Sequence, residues 1–596
     1  MNHKWIYQPP TEGECAEADA LSEEIGISPV LCRLLRKRGI RTAAEAKKFF
    51  RPSLQNLHDP FLMDGMDAAV ARINKALGRK ERILVYGDYD VDGTTAVALV
   101  YRFLQQFTTN IDYYIPNRYN DGYGVSFKGV DYAKETGVSL VIVLDCGVKA
   151  VDEIAYAKSM GIDFIVCDHH VQDEVLPSAV AILNPKLIGS NYPYPHLSGC
   201  GVGFKLITAL SMSLNRPIEE VYELLDLVAV SIAADIVPIT GENRVLAYYG
   251  LMLINKNPRP GLEAVLSHAN VHRVEEEPST NSEQPQNVLN KEVTISDLVF
   301  MIGPRINAAG RLEKASDSVR LLIAERKEHA EKLASSINDL NVRRREFDNK
   351  ITEEALSMIQ QNEKLLNAKS TVIFNENWHK GVIGIVASRL TDSYYRPTIV
   401  LTRSNNLITG SARSIKNFDI YDAIDNCSDL LEHFGGHKYA AGLSLKPENL
   451  EEFSRRFEEY VANNIDNEEL IPELNVDLEI DFADITPKFV RVLKQFAPFG
   501  PGNMAPVFLS KNVVDTGSSR SVGNKKHLKL TINQKHEPSL VFAGIAFQKG
   551  DDYMRVHSKE PFSICYCIEK NFWQGKTNLQ LNVKDIKFSD KEEGSL

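Results

Sequence analysis

At 596 residues, 43% of them apolar, the chain has room for three or four domains with full-sized cores. Its net charge of −11 excludes a blanket electrostatic grip on nucleic acid, so any DNA site must be a local basic groove. Eight cysteines without CxxC spacing read as reduced thiols, and no run nears the ~18 apolar residues of a spanning helix, which predicts a soluble, cytoplasmic protein with no membrane contact.

Residues 1–65 read as an N-terminal helical segment. Its start, Met1-Asn2-His3-Lys4-Trp5, leads into prolines instead of an apolar signal core. Arg33, Arg36, Lys37 and Arg38 then form a basic face ahead of a stop at Gly39, and a solvated helix face is the expectation for them.

Residues 66–324 alternate helix and strand signals, the pattern of a doubly wound α/β domain with a parallel sheet. The first strand signal, Ile83-Leu84-Val85-Tyr86, runs into Gly87-Asp88-Tyr89-Asp90-Val91-Asp92-Gly93. Three carboxylates so close repel by roughly 1 kcal/mol per pair at about 4 Å even in water, and a divalent cation among them relieves this. Asp-x-Asp-x-Asp-Gly also begins an EF-hand loop, but that loop needs a preceding helix and a Glu at its twelfth position, where this chain has Leu99. A solvated acidic turn is the plainer alternative for the triplet alone, and it weakens because the pattern recurs.

Two more continuous apolar runs end in Asp145-Cys146-Gly147 and Asp168-His169-His170, as strands covered on both faces do. Such a sheet delivers its strand ends to one crevice. The apolar stretch from Leu224 to Asp235 holds two aspartates; Asp235 is assigned to the cluster, and Asp226 to backbone or to a histidine behind it. Between them, the Gly- and Pro-rich connection from Asn184-Pro185 to Gly203 reads equally as a surface near a bound strand or as a plain turn.

Oxygen-rich ligation with one or two imidazoles suits Mn2+ or Mg2+, and the ligand number fits two ions sharing a carboxylate, the arrangement that drives in-line hydrolysis of phosphoesters. The four motifs, in this order and spacing, resemble those of the DHH phosphoesterase superfamily. The expected division gives Asp88 and Asp90 to one ion and Asp92, His169 and Asp235 to the other, with Asp145 bridging; His170 joins Asp145 and His169 in the catalytic set. Some superfamily members carry a ligating histidine where this chain has Tyr86, which leaves the first ion to Asp88 or to water.

Residues 274–291, rich in Glu, Pro, Ser, Asn and Gln, read as a flexible insertion without a catalytic role. The segment Gly303-Pro304-Arg305-Ile306-Asn307-Ala308-Ala309-Gly310-Arg311 resembles a signature of the RecJ branch of the superfamily, the single-strand-specific DNA exonucleases. Arg305, Asn307 and Arg311 are its phosphate candidates, with pairing of Arg311 to Glu313 or Asp317 as the structural alternative. Residues 325–365 form a long connecting helix by the spacing of Leu333, Ile337, Leu340, Phe347, Ile351 and Met358, with Arg344 in the break of the stripe.

Residues 366–465 carry a second α/β pattern. Ser411-Ala412-Arg413-Ser414 and Gly435-Gly436-His437 are phosphate-friendly, the glycines being read as the approach to a helix N-terminus. Together they resemble the DHHA1 domain, which implies that Arg389, Ser411, Arg413, Gly435, Gly436 and His437 meet the phosphates of the strand being cut. Residues 466–596 turn to short strand signals, as in a small barrel, and Pro498-Phe499-Gly500-Pro501-Gly502-Asn503 is similar to the lead-in of the RecJ OB domain. Lys525, Lys526, Lys529, Phe572 and Trp573 are candidates for a surface on which bases stack over positive charge.

The predicted architecture is therefore α/β: a doubly wound parallel-sheet DHH domain, a long connecting helix, a smaller α/β DHHA1 domain and a C-terminal all-β OB-fold barrel. The resemblance implies a metal-dependent 5′-to-3′ exonuclease that releases mononucleotides from single-stranded DNA in repair and recombination, acting as a monomer with a helicase and a single-strand-binding protein as partners. Two alternatives stand beside it: a phosphodiesterase of short oligonucleotides or cyclic dinucleotides, which would lack the barrel, and a metal-free replication scaffold, which would have eroded motifs.

Overall fold

The computed structural model describes residues 3–118, 121–276, 286–573 and 576–588. They form two units, Met1–Ile6 with Asp339–Asn475, and Tyr7–Asn338 with Val476–Leu596. The chain passes from one to the other within the helix Lys327–Gln361, which bears out the long helix read from the apolar spacing.

A short strand β1 (Lys4–Tyr7) begins in the smaller unit and belongs with a late one described below. In the larger unit β2 (Ile83–Gly87), β3 (Ile111–Tyr114), β4 (Leu140–Leu144), β5 (Asp163–Cys167) and β6 (Ala181–Leu183) form a parallel sheet of order β3-β2-β4-β5-β6. Every residue of β2 and β4 is buried, because helices cover both faces; that is why these strands are apolar without alternation. The strand order reverses between β2 and β4, and the carboxyl ends there open the crevice where such sheets bind ligands.

The insertion is more ordered than expected. Its flanks, β7 (Arg273–Glu276) and β8 (Gln286–Leu289), pair antiparallel with Val274 opposite Val288, so backbone ladder bonds supply the order that its polar side chains do not. Residues 277–285 lie outside the described residues.

The smaller unit holds β9 (Thr371–Phe374), β10 (Thr398–Ser404), β11 (Leu407–Arg413), β12 (Leu431–His437) and β13 (Ala440–Leu445) in the order β12-β13-β11-β10-β9, while β14 (Glu473–Val476) pairs with β1. Gly435, Gly436 and His437 end the edge strand β12 and no helix follows them, which corrects the expected helix N-terminus. Gly436 has φ +151°, and a Cβ there would meet the Ala440 carbonyl at 2.4 Å, so the glycine serves the turn into β13.

The barrel is closed by β16 (Phe508–Asp515), β18 (His527–Gln534), β19 (Glu537–Ala546), β20 (Phe562–Trp573) and β21 (Lys576–Phe588), through the pairings β16–β18, β18–β19, β19–β21, β21–β20 and β20–β16; β15 (Leu478–Glu479) and β17 (Arg520–Val522) flank it. A five-stranded closed barrel is the OB architecture. The register of β16 shifts between Ser510 and Val513, which breaks the apolar–polar alternation along it.

The N-terminal helices are not a separate segment. Leu21, Leu31, Leu34 and Leu35 share one core with Phe482, Phe489, Phe508 and Tyr566 of the barrel region. Three residues of their basic face are paired while Lys37 is exposed: Arg36 meets Glu17, Arg33 lies 3.8 Å from Asp19, and Arg38 donates to the Met504 carbonyl at 2.5 Å.

Candidate metal centre

The acidic residues that follow the sheet strands gather at its carboxyl edge. Asp88 follows β2 and is buried; Asp90 caps the helix Val91–Leu104, its carboxylate accepting the Gly93 N–H at 3.0 Å. Gly93 is obligatory, since a Cβ would strike the Asp88 carbonyl at 2.4 Å. Asp145, after β4, adopts φ +60°, a left-handed backbone that aspartate tolerates and that clusters at functional sites.

Asp92 is anchored by three donors. Oδ2 accepts the Gly199 N–H at 2.7 Å, and Oδ1 accepts the Cys200 N–H at 2.8 Å and the Ser231 hydroxyl at 2.6 Å. The positive end of the helix Gly199–Ser213 thus points at this carboxylate. A Cβ on Gly199 would meet Asp145 Oδ1 at 2.6 Å, so the small residues of the 184–203 connection let this helix press against the metal-site acids.

His169 is the hub. Its Nδ1 lies 3.1 Å from the Leu197 carbonyl, which fixes the ring with Nε2 facing the acids. Nε2 stands 3.1 Å from Asp145 Oδ1, 3.6 Å from Asp235 Oδ2 and 3.7 Å from Asp92 Oδ2. Burial lowers its pKa and keeps the ring neutral, as ligation requires. Two groups have atoms close enough to share an ion, Asp92–His169–Asp235 and Asp145–His169–His170. The first matches the expected set for one ion; Asp88 and Asp90 belong to neither group among the described residues.

The electrostatics agree. Burial, then Asp90, pushes Asp88 up to about 8, and burial, then Asp92 and Asp90, pushes Asp235 up to about 9; Asp145 is also raised by burial and by these acids. Asp145 Oδ1 and His169 Nε2 are buried without a hydrogen-bond partner. Orphaned ligand atoms among acids that destabilise one another fit a divalent cation, and oxygen with imidazole donors fits Mn2+ or Mg2+.

Asp168 serves His170. It accepts the backbone N–H groups of Val148, His169 and His170, and its Oδ1 lies 2.7 Å from His170 Nδ1. Burial favours its protonation, but His170 prevails and holds it at about 2; reciprocally, Asp168 outweighs burial and raises His170. The Tyr123 hydroxyl lies 3.3 Å from His170 Nε2.

Asp226 is not at the centre: Arg259 grips it through two nitrogens, Nε at 2.6 Å from Oδ2 and Nη2 on Oδ1. Tyr86 is buried and donates to the Gly124 carbonyl at 2.9 Å, a packing role. Arg305 donates to Met301 O at 2.7 Å, His268 O at 2.9 Å and Asn338 at 3.2 Å, which fixes the path of its guanidinium. The helix Gly303–Leu312 carrying Arg305, Asn307 and Arg311 abuts the acidic loop, since a Cβ on Gly310 would meet the Tyr89 carbonyl at 2.7 Å.

Sequence reasoning missed Ser231, Tyr123 and Lys186. Lys186 follows β6 beside Asn184, whose Nδ2 donates to the His170 carbonyl at 2.9 Å; burial lowers its pKa against the pull of Asp235, Asp168, Asp92 and Asp145. The hydroxyl of Ser231, set among the apolar residues Val228–Ala234, was the available signal.

In the smaller unit the cross-strand register puts Ser411, Arg413, His433, Gly435, His437 and Gly442 on one sheet face. Arg413 donates to Ser411 Oγ at 3.1 Å and Ser388 Oγ at 3.2 Å. A cleft of about 700 Å³ on this sheet is lined by Lys380, Thr409, His433, Gly435 and Ser444. Arg389 is held by Asp348, fully buried, at 2.9 Å and by Asn349 at 2.9 Å. On the barrel, Lys525 and Lys526 lie in the β17–β18 turn and Lys529 on β18; the side chains of Phe572 and Trp573 lie outside the described residues.

Comparison with known proteins follows the same divisions. The DHH family N-terminal domain matches residues 82–232, the DHHA1 domain 365–463 and the RecJ OB domain 476–585. The chain is 36% identical to the single-stranded-DNA-specific exonuclease RecJ of Bacillus subtilis, over 98% of this chain and 71% of that one. It is 34% identical to the RecJ of Salmonella typhimurium, over 96% and 98%. The crystal structure of RecJ with Mn2+ from Thermus thermophilus superposes with a TM-score of 0.81 at 26% identity, covering 99% of this chain and 80% of that one.

Proposed function

Because the chain belongs to the RecJ family of DHH phosphoesterases, we propose that it is a metal-dependent exonuclease that degrades single-stranded DNA from the 5′ end to mononucleotides. The observation that carries this is the convergence of Asp92, Asp145 and Asp235 on the free Nε2 of His169.

Two divalent ions bound by such ligands supply an activated water for in-line attack on phosphorus and offset charge on the attacking and leaving oxygens. His169, neutral and fixed by Leu197, and Asp92, fixed by Gly199, Cys200 and Ser231, are the ligands held in place before anything binds. Asp145, Asp88 and Asp90 are the further carboxylates of this proposal that would hold the ions. His170, oriented by Asp168 and with its pKa raised by it, donates a hydrogen bond to the charge that develops on the phosphate. Ser411, Arg413 and His437, with Arg389 oriented by Asp348, bind backbone phosphates of single-stranded DNA in the smaller unit, and the barrel lysines add positive charge for single strands in the larger one.

No helix among the described residues is long and apolar enough to cross a membrane. We place the enzyme in the cytoplasm, acting as a monomer on strands that a helicase opens and a single-strand-binding protein covers. Digestion of 5′- and 3′-labelled single and double strands with Mn2+, Mg2+ or a chelator tests the proposal. Loss of 5′ label as mononucleotide from single strands alone, abolished by the chelator, is the expected result. Cleavage of dinucleotides only, or full activity in chelator, overturns it.

A further inference from the structure

The residues that follow Asp235 form a strap held at both ends. At its start, the Asp235 N–H donates to the Ser231 carbonyl at 2.9 Å, and Ile236 turns the backbone through φ +58°, a conformation that a β-branched residue keeps only when its surroundings impose it. At its far end, the Ile239 N–H donates to the Pro501 carbonyl at 2.6 Å. Pro501 belongs to the turn Gly500–Asn503, which lies in sequence just before the barrel strand β16. A Cβ on Gly500 would meet Ile239 Cγ1 at 2.5 Å, and one on Gly502, at φ +72°, would meet Thr240 Cγ2 at 2.9 Å. The strap therefore lies directly against this turn.

The turn is itself clamped. Gly500 and Asn503 exchange backbone hydrogen bonds at 3.0 and 2.8 Å, and Asn503 Nδ2 donates to the carbonyls of Phe496 and Pro498, both at 2.8 Å. Arg244, only 6% exposed, stacks over Phe49 at 3.9 Å and donates to the carbonyls of Phe496 at 2.9 Å, Ala497 at 3.0 Å and Gln495 at 3.3 Å. No carboxylate pairs with it among the described residues. A buried guanidinium bound to carbonyls alone fixes the path of a chain rather than neutralising a charge.

We propose that the turn Gly500–Asn503, which follows directly on the segment that Arg244 grips at Gln495, Phe496 and Ala497, is a positioning element of the metal centre: through the strap 236–240 it sets how far Asp235 reaches toward His169. The lead-in to the barrel then acts on metal affinity as well as joining the domains. This inference rests on Asp235 being a metal ligand, as proposed above.

The test is Mn2+ binding to the full chain without DNA, read from the electron paramagnetic resonance of free Mn2+. Gly500→Ala should weaken binding by about tenfold, the scale of lost outer support for a metal ligand. Affinity for single-stranded DNA measured in chelator should stay unchanged. Ile239→Ala in the same chain removes the atoms the new Cβ would strike and should restore Mn2+ affinity. In an Asp235→Asn background, Gly500→Ala should add no further loss. If Gly500→Ala fails to fold, Arg244→Lys, which keeps the charge and loses the fork, should show the same Mn2+ deficit. Parental Mn2+ affinity in the folded variants, or an equal loss without Asp235, overturns the positioning role while the metal centre stands. A parent chain that binds no Mn2+ overturns the metal centre itself and this inference with it.

Discussion

Nε2 of His169 lies 3.1 Å from Oδ1 of Asp145, and neither buried atom has a hydrogen-bond partner. Leaving such atoms unmet costs about 1–3 kcal/mol each in a protein interior, so the pair is built for a shared electrophile. Asp145→Ala should therefore abolish turnover while single-stranded DNA is still retained in a binding assay; full activity in that variant would remove the bridging role.

Ser231 supports the centre from below. Ser231→Ala deletes the 2.6 Å hydrogen bond to Asp92 and should weaken Mn2+ binding by roughly 10- to 100-fold in calorimetric titration, with DNA binding in chelator unaffected. Unaltered Mn2+ affinity would show that the two backbone N–H groups suffice.

The Asp226–Arg259 pair predicts the opposite balance. Arg259→Gln leaves a buried carboxylate uncompensated and should cost about 3–5 kcal/mol in chemical denaturation. Mn2+ affinity of the folded fraction should stay at the parental level. A fall in affinity with no fall in stability would instead place Asp226 in the metal site.

The His170–Asp168 contact sets a pH window. Asp168, depressed to about 2, stabilises the fold above the ordinary carboxylate range, and this contribution fades as pH falls toward 2. His170, raised, contributes below the ordinary imidazole pKa, and that part is lost as pH rises through its folded value. Asp168→Asn should lower the His170 midpoint in an NMR titration of metal-free protein. A midpoint that does not move would assign the rise to other acids.

Lys529 on the barrel should act through charge alone. Lys529→Gln should weaken single-strand binding about equally for all sequences and reduce the salt slope by about one unit or less. Mn2+ affinity should not change. A sequence-dependent loss would point to base contacts instead.

Much of the centre was legible because parallel strands covered on both faces are written as unbroken apolar runs, and an acid or imidazole right after such a run can only lie at the sheet's carboxyl edge. That placed Asp88, Asp145 and His169 without coordinates. Other roles depend on neighbours distant in sequence. The bond from Arg305 to the His268 carbonyl cannot be read from its motif, and Gly435-Gly436 reads as a helix approach until Gly442 and Ala441 pair across from it.

Residue type and spacing thus determined the domain order, the parallel sheet and the ligand chemistry, since burial and repulsion act on short stretches of chain. The tertiary structure alone decided that the N-terminal helices share the barrel's core, that the partner of Asp226 is Arg259, and that His169 presents Nε2 instead of Nδ1. Those outcomes turn on which of several energetically similar partners lies within about 3 Å, and hydrogen-bond and ion-pair energies fall too steeply with distance for sequence to choose among them.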